Sequence, residues 1–363
     1  MDKILAAPGK YVQGPGTLDR LGEYVGKLGD KPLVIVDRNV MELLGDKLTR
    51  VLAEQLDPIM EPFRGESSRQ EVTRLQGIGS GKANVVIGVG GGKTIDTAKA
   101  VAYYLKVPVA IVPTIAATDA PTSALSVLYT EDGVFDQYLV LPANPDLVLV
   151  DTKIIAAAPA RFLASGMGDA LATYFEAEAC AQSNAVATAG GTITLAARQL
   201  ALLCYETLIE YGQQALWAAQ RHVITPALEY IVEANTLLSG LGFESGGLAA
   251  AHAVHNGFTA LEETHVAYHG EKVAYSTIVQ MVLEGRSSEE IEEVMDFCIA
   301  VDLPVTLAQL GIKKPDPQRI MLVAEAAVQP EETIHNMPFP VTAEMVRDAI
   351  LAVDAIGNAL LGS

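Results

Sequence analysis

Over its first 160 residues the chain alternates short apolar runs with turns and helical periodicity, and this alternation restricts the fold more than any other feature. Leu33–Asp37 (LVIVD), Val85–Val89 (VVIGV) and Val107–Pro113 (VPVAIVP) read as buried strands, each followed by a turn or a helical pattern. Apolar strands interleaved with helices predict a parallel α/β sheet. Two shorter strands flank Glu131-Asp132-Gly133, where Asp-Gly is the turn signal of a β-hairpin. Beyond Ala160 strand signals nearly vanish and alanine-rich helical spacing takes over. A length of 363 residues favours two domains. The expectation is an α/β domain over 1–160 and an all-α domain over 161–363. Ser68 to Glu71 and Ser287 to Glu290 fit capping boxes that open helices.

Composition excludes several classes of partner. Half the residues are hydrophobic and the mean hydropathy is +0.27, which suits much buried helix and sheet, with apolar surface for subunit contacts. The most apolar run, starting at Val101, is broken by Lys106, Pro108 and Pro113, so no membrane span is expected. The N-terminal MDKILAAPGK lacks an apolar region long enough for a signal peptide. A net charge of −19 with no clustered Lys or Arg argues against nucleic acid. Cys180, Cys204 and Cys298 are odd in number and far apart, which fits reduced thiols and a cytoplasmic location.

Directly after VVIGV come Gly90, Gly91, Gly92, Lys93 and Thr94, followed by helical spacing. Strand, glycine turn and helix can cradle a phosphate, because backbone N–H groups approach an anion closely and the helix N-terminus favours negative charge. A tight turn without a ligand is the plainer alternative. Asp37 ends its strand where a carboxylate can accept both hydroxyls of an adenosine ribose and repel a 2′-phosphate, which favours NAD over NADP. The loop PTIAATDAPTSALSV supplies Thr114, Thr118 and Ser123 as hydrogen-bonding groups and Asp119 as an anchor for a hydroxylated substrate. Alternatively, Asp119 caps a helix with Pro121 in its first turn.

Four of the six histidines, His252, His255, His265 and His269, fall in the glycine- and alanine-rich stretch 246–269. Imidazole is the commonest zinc ligand, and one helical turn separates His252 from His255, so the stretch suggests a metal site. Packed, hydrogen-bonded core histidines would leave the same pattern.

Taken together, GGGKTIDTAKA, PTIAATDAPTSALSV, GMGDALATYFEA, GFESGGLAAAHAVHNGF and HGEKVAYS resemble the NAD-dependent glycerol dehydrogenases of the iron-containing alcohol dehydrogenase superfamily. The resemblance implies a Rossmann-like N-terminal domain, a helical C-terminal domain of the dehydroquinate synthase-like kind, and an active site between them. It further implies oxidation of glycerol at C2 to dihydroxyacetone, and a homo-oligomer, often an octamer in relatives. Carried over by motif, the metal ligands are Asp169, His252 and His269, which would also hold the substrate. Thr173 stands where iron-binding relatives usually place a fourth ligand, a histidine, so Zn²⁺ is expected rather than Fe²⁺. NAD contacts fall on Asp37, Gly90, Gly91, Gly92, Lys93, Thr94, Asp96, Thr114, Thr118, Ser123, Leu125 and Tyr129. Asp119 would hold the substrate, and His255 would relay its proton unless it is simply a structural imidazole. His265 matches no family role and reads as a loop residue. Lys93 reads equally well as an exposed first-turn lysine.

Two other functions fit the same motifs. One is a metal-dependent enzyme acting on a phosphorylated or acidic substrate, such as glycerol-1-phosphate dehydrogenase or dehydroquinate synthase. Only Arg161, Arg198, Arg221 and Lys272 lie between Ala160 and Gln280, too few for a phosphate clamp beside the metal motifs, so a neutral vicinal diol is favoured. The other is a non-catalytic protein that binds NAD or metal on the same fold.

Overall fold

The computed structural model describes residues 1–362 and divides into two units. The α/β unit comprises Ala6–Pro159 and Ala218–Gly240; the helical unit comprises Met1–Leu5, Ala160–Trp217 and Leu241–Ser363. Residues 1–5 and 218–240 thus each lie with the unit opposite to the one that a single cut at residue 160 would assign.

The α/β unit is built on six parallel strands. In chain order they are β1 (Tyr11–Gly14), β2 (Pro32–Val36), β3 (Ile59–Pro62), β4 (Val85–Gly90), β5 (Val109–Pro113) and, after a hairpin formed by β6 (Leu125–Tyr129) and β7 (Phe135–Val140), β8 (Leu147–Asp151). Their order across the sheet is β1-β8-β5-β4-β2-β3, all neighbours parallel. The four inner strands are buried at every residue, as expected where helices cover both faces, whereas β1 and β3 at the edges are only partly buried. Pro108 has no N–H to donate, and β5 begins at the residue after it. Asp37 is not the end of a strand; it is the N-cap of Arg38–Ala53, its Oδ1 accepting from the N–H groups of Asn39 and Val40. Gly88 in β4 lets the helix Gly92–Leu105 pack close, since a Cβ there would lie 2.5 Å from that of Ala98.

The hairpin forms at Glu131–Gly133 with a register irregularity at Leu128/Tyr129. Ser68 accepts from Glu71 N, but the reciprocal half of that box is missing because the Glu71 carboxylate is taken by Arg64 N and Arg74. The Ser287–Glu290 box is complete. No helix follows Asp119, so its alternative role as a helix cap does not apply.

The helical unit has no strand among the described residues. The helices used below are Ala160–Ser183, Ala250–Phe258 and His269–Leu283. Cys180, Cys204 and Cys298 are buried, and no disulfide joins them. Among the described residues, no helix is long and apolar enough to cross a membrane.

Candidate metal centre and dinucleotide-binding turn

In the helical unit, glycines let two helices meet backbone to backbone. A Cβ on Gly168 would run into Gly270 O, and one on Gly270 into Ser165 O. The residues beside these glycines are Asp169 and His269, and the close crossing puts Asp169 Oδ1 2.9 Å from His269 Nε2. The helix Ala250–Phe258 adds His252, with Nε2 3.5 Å from the same oxygen. One ligand atom from each of the three lies within 4.8 Å of the others. Ligands about 2.0–2.1 Å from a tetrahedral ion are spaced by roughly 3.3–3.4 Å, a value that the separations of 2.9 and 3.5 Å bracket, and the mixed N/O donors suit a divalent transition-metal ion.

Charge is concentrated here. Burial opposes ionisation of Asp169, yet the imidazoles of His269 and His252 hold its carboxyl far below the usual carboxylate range. Burial likewise opposes a charged His252, but the carboxylates of Glu176 and Asp169 override it and raise that imidazole well above its ordinary value. His255 joins the cluster, its ring centroid 4.2 Å from that of His269. Burial, then His269, Lys272 and His252, push it well below the ordinary value. Its Nδ1 lies 3.1 Å from Asn256 Oδ1. His265 is not in a loop; it sits in the 3₁₀ turn Glu262–Val266, its Nε2 3.2 Å from Thr259 O.

Glu176 escaped the sequence reading. Its buried carboxylate accepts from Ala249 N and His252 N through Oε1, and its Oε2 lies 2.6 Å from His252 Nδ1. Its position seven residues after Asp169, two helical turns on, was the available signal.

In the α/β unit, β4 ends at Gly90 and the next helix starts at Gly92 without a side-chain cap at Gly91. The first-turn N–H groups are therefore open to an anion. A Cβ at Gly92 would meet only Thr118 Oγ1, at 3.8 Å, which leaves room over the turn. Gly90 must stay small, because a Cβ would strike Thr94 at 2.8–2.9 Å and Asp37 at 3.0 Å. Thr114 N bonds Gly90 O and holds the following loop against the turn. Lys93 pairs with Glu66 at 2.7 Å and covers the Tyr129 ring at 5.3 Å. Asp119 Oδ2 accepts from Ser239 Oγ at 3.0 Å.

Asp96, Ser123 and Leu125 converge on a second residue missed in the sequence, Lys99. Its buried ammonium donates to Ala120 O at 2.5 Å and Leu125 O at 2.8 Å, lies 3.3 Å from Ser123 Oγ, and sits 3.7 Å from Asp96 Oδ1. A lysine at helical spacing gave no signal of such burial.

The family model of the iron-containing alcohol dehydrogenases matches residues 8–152. Glycerol dehydrogenase from Pseudomonas putida is 55% identical over 363 residues, covering 99% of this chain and 100% of its own. Glycolaldehyde reductase from Halobacterium salinarum is 50% identical over 360 residues, covering 99% of each chain. The crystal structure of glycerol dehydrogenase from Schizosaccharomyces pombe superposes with a TM-score of 0.96 at 43% identity, covering 99% of this chain and 93% of its own. Identity of this order over whole chains carries the motif resemblance from end to end, and the chain belongs to the iron-containing alcohol dehydrogenase family, among its glycerol dehydrogenases.

Proposed function

We propose that this protein oxidises glycerol, or a similar small vicinal diol, at a secondary carbon to the hydroxyketone, with NAD as the acceptor and zinc as the resident metal. For glycerol the product is dihydroxyacetone. The observation that carries the reading is the Asp169–His252–His269 donor set, with its aspartate buried and its two imidazoles partly exposed.

A divalent ion held by these three residues supplies Lewis acidity, which lowers the pKa of an alcohol. NAD supplies the acceptor for the hydride that leaves the carbinol carbon. The rest is work for the chain. Asp169 contributes the anionic donor and the two imidazoles the neutral ones, and three protein donors leave coordination positions for a substrate oxygen. Thr173, where iron-binding relatives place a fourth ligand, favours zinc over iron. The uncapped turn at Gly91–Thr94 receives the pyrophosphate, Thr114, Thr118 and Tyr129 border it, and Asp37 selects the 2′-hydroxyl. Asp119, held by Ser239, anchors a second substrate hydroxyl. His255, beside His269, is assigned the alcohol proton on position alone. A cytoplasmic homo-oligomer belongs to the same reading.

A phosphorylated substrate is disfavoured, because Lys272 is buried and its ammonium is pushed down by that burial. NADH formation followed at 340 nm with glycerol and NAD⁺, before and after chelation and after return of Zn²⁺ or Fe²⁺, tests the proposal. Loss on chelation and recovery with zinc is the expected result. Turnover of no diol by the metal-loaded protein would discard it, and glycolaldehyde with NADH tests the reverse direction on a smaller substrate.

A further inference from the structure

Glu176 lies two turns along the same helix as Asp169, so the two carboxylates leave one face. Its side chain is fully buried, and a buried carboxylate persists only where hydrogen bonds replace its water. Its three hydrogen bonds come from the start of the helix Ala250–Phe258. Oε1 accepts from Ala249 N at 2.8 Å and His252 N at 2.9 Å, and Oε2 lies 2.6 Å from His252 Nδ1. Ala249, the N-cap residue, has no side chain that could do this, and Gln280 Oε1 takes the intervening Ala251 N at 3.0 Å. The helix is thus capped from outside itself, and negative charge at its N-terminus is favoured.

We propose that Glu176 is the positioning residue of the metal centre: by accepting the Nδ1–H of His252 it fixes the tautomer in which Nε2, 3.5 Å from Asp169 Oδ1, carries the lone pair that binds metal. The inference rests on the metal reading given above. A neutral imidazole has one N–H, so a carboxylate that holds it at Nδ1 leaves Nε2 as the donor atom. The carboxylate also makes the ring a stronger base and stops it from turning. Anchoring the backbone N–H of the same residue through its other oxygen, Glu176 fixes both ends of the His252 side chain.

Glu176→Gln separates the two roles. The amide oxygen can still accept the backbone N–H groups, but an NH₂ facing Nδ1 demands a lone pair there and moves the ring proton to Nε2. Zinc affinity, measured on the metal-stripped full chain by competition with a chromogenic chelator, is expected to fall about 10–100-fold. Gln280→Ala removes a neighbouring cap without touching His252; it should lower the melting temperature and leave zinc affinity within about twofold, because its side chain bonds Ala251 N and Glu284 Oε1, neither of them in the metal donor set. Retention of wild-type zinc affinity in Glu176→Gln, or an equal loss in Gln280→Ala, would overturn the assignment. Should Glu176→Gln fail to fold, ¹¹³Cd-substituted, ¹⁵N-histidine-labelled wild-type protein decides. Cadmium coupling to Nε2 of His252 with a protonated Nδ1 supports the assignment, and coupling to Nδ1 refutes it. A wild-type chain that binds no zinc or cadmium at all would remove the metal reading itself, an outcome distinct from equal binding by wild type and variant.

Discussion

His269 Nε2 and Asp169 Oδ1 lie 2.9 Å apart although one hundred residues separate them in the chain. Their contact depends on absent atoms. Gly168 and Gly270, each adjacent to one of the pair, let their helices approach until Ser165 O occupies the place of a Gly270 side chain.

Gly270→Ala should therefore force the helices apart, because the obstructing atom is backbone and cannot swing away. A loss of about 2–4 kcal/mol in urea unfolding is expected, together with weaker zinc retention. A change below about 1 kcal/mol with zinc intact would mean that the crossing relaxes at little cost.

Lys99 bridges the helix after the glycine turn and the loop that carries Asp119. Lys99→Met strands two carbonyls and the Asp96 carboxylate in a buried site, so stability should drop by about 3–5 kcal/mol. NADH affinity should weaken at least about tenfold as the loop shifts. Fluorescence titration at a temperature where the variant is folded checks this; unchanged affinity would show that the loop is held by other contacts.

Burial raises the Asp96 carboxyl to about 6, while Lys99 and the Val127 backbone act in the opposite direction. The folded pKa exceeds that of an unfolded aspartate, about 3.9, so the native state binds this proton more tightly. The associated stability is present below about pH 4 and is lost as pH rises through about 6, up to about 3 kcal/mol in all. Asp96→Asn should remove that slope. Urea midpoints at several pH values check it, and parallel curves for the two proteins would contradict it.

Asp37 caps a helix through Oδ1 and is assigned to the ribose. Asp37→Ser keeps a capping oxygen but removes the charge, so the melting temperature should hold within a few degrees while discrimination against NADP falls by about 1–3 kcal/mol. The ratio of kcat/KM for NAD to that for NADP measures it. A ratio that does not move would take Asp37 out of the nucleotide site.

The central strands were legible because burial on both faces requires continuous apolar runs such as Leu33–Val36 and Val85–Val89. The hairpin was legible from Asp132-Gly133, and the helix start at Ser287 from its box. Asp37 reads as a strand end in the sequence because it directly follows the apolar run, whereas the strand stops at Val36 and Asp37 caps the next helix. The segment 218–240 carried helical spacing that says nothing of which unit it joins.

Local chemistry alone determined the glycine turn, the inner strands, and the clustering of His252, His255 and His269 in sequence, because each rests on neighbouring residues whose side chains or lack of them set φ, ψ and burial. Tertiary structure alone decided how closely His252 and His269 approach Asp169, that Glu176 serves as the cap an alanine cannot supply, and that Lys99 is buried among loop carbonyls. Those facts depend on contacts between residues some 20 to 100 positions apart, created by how closely helix backbones pack, and no periodicity along the chain encodes that distance.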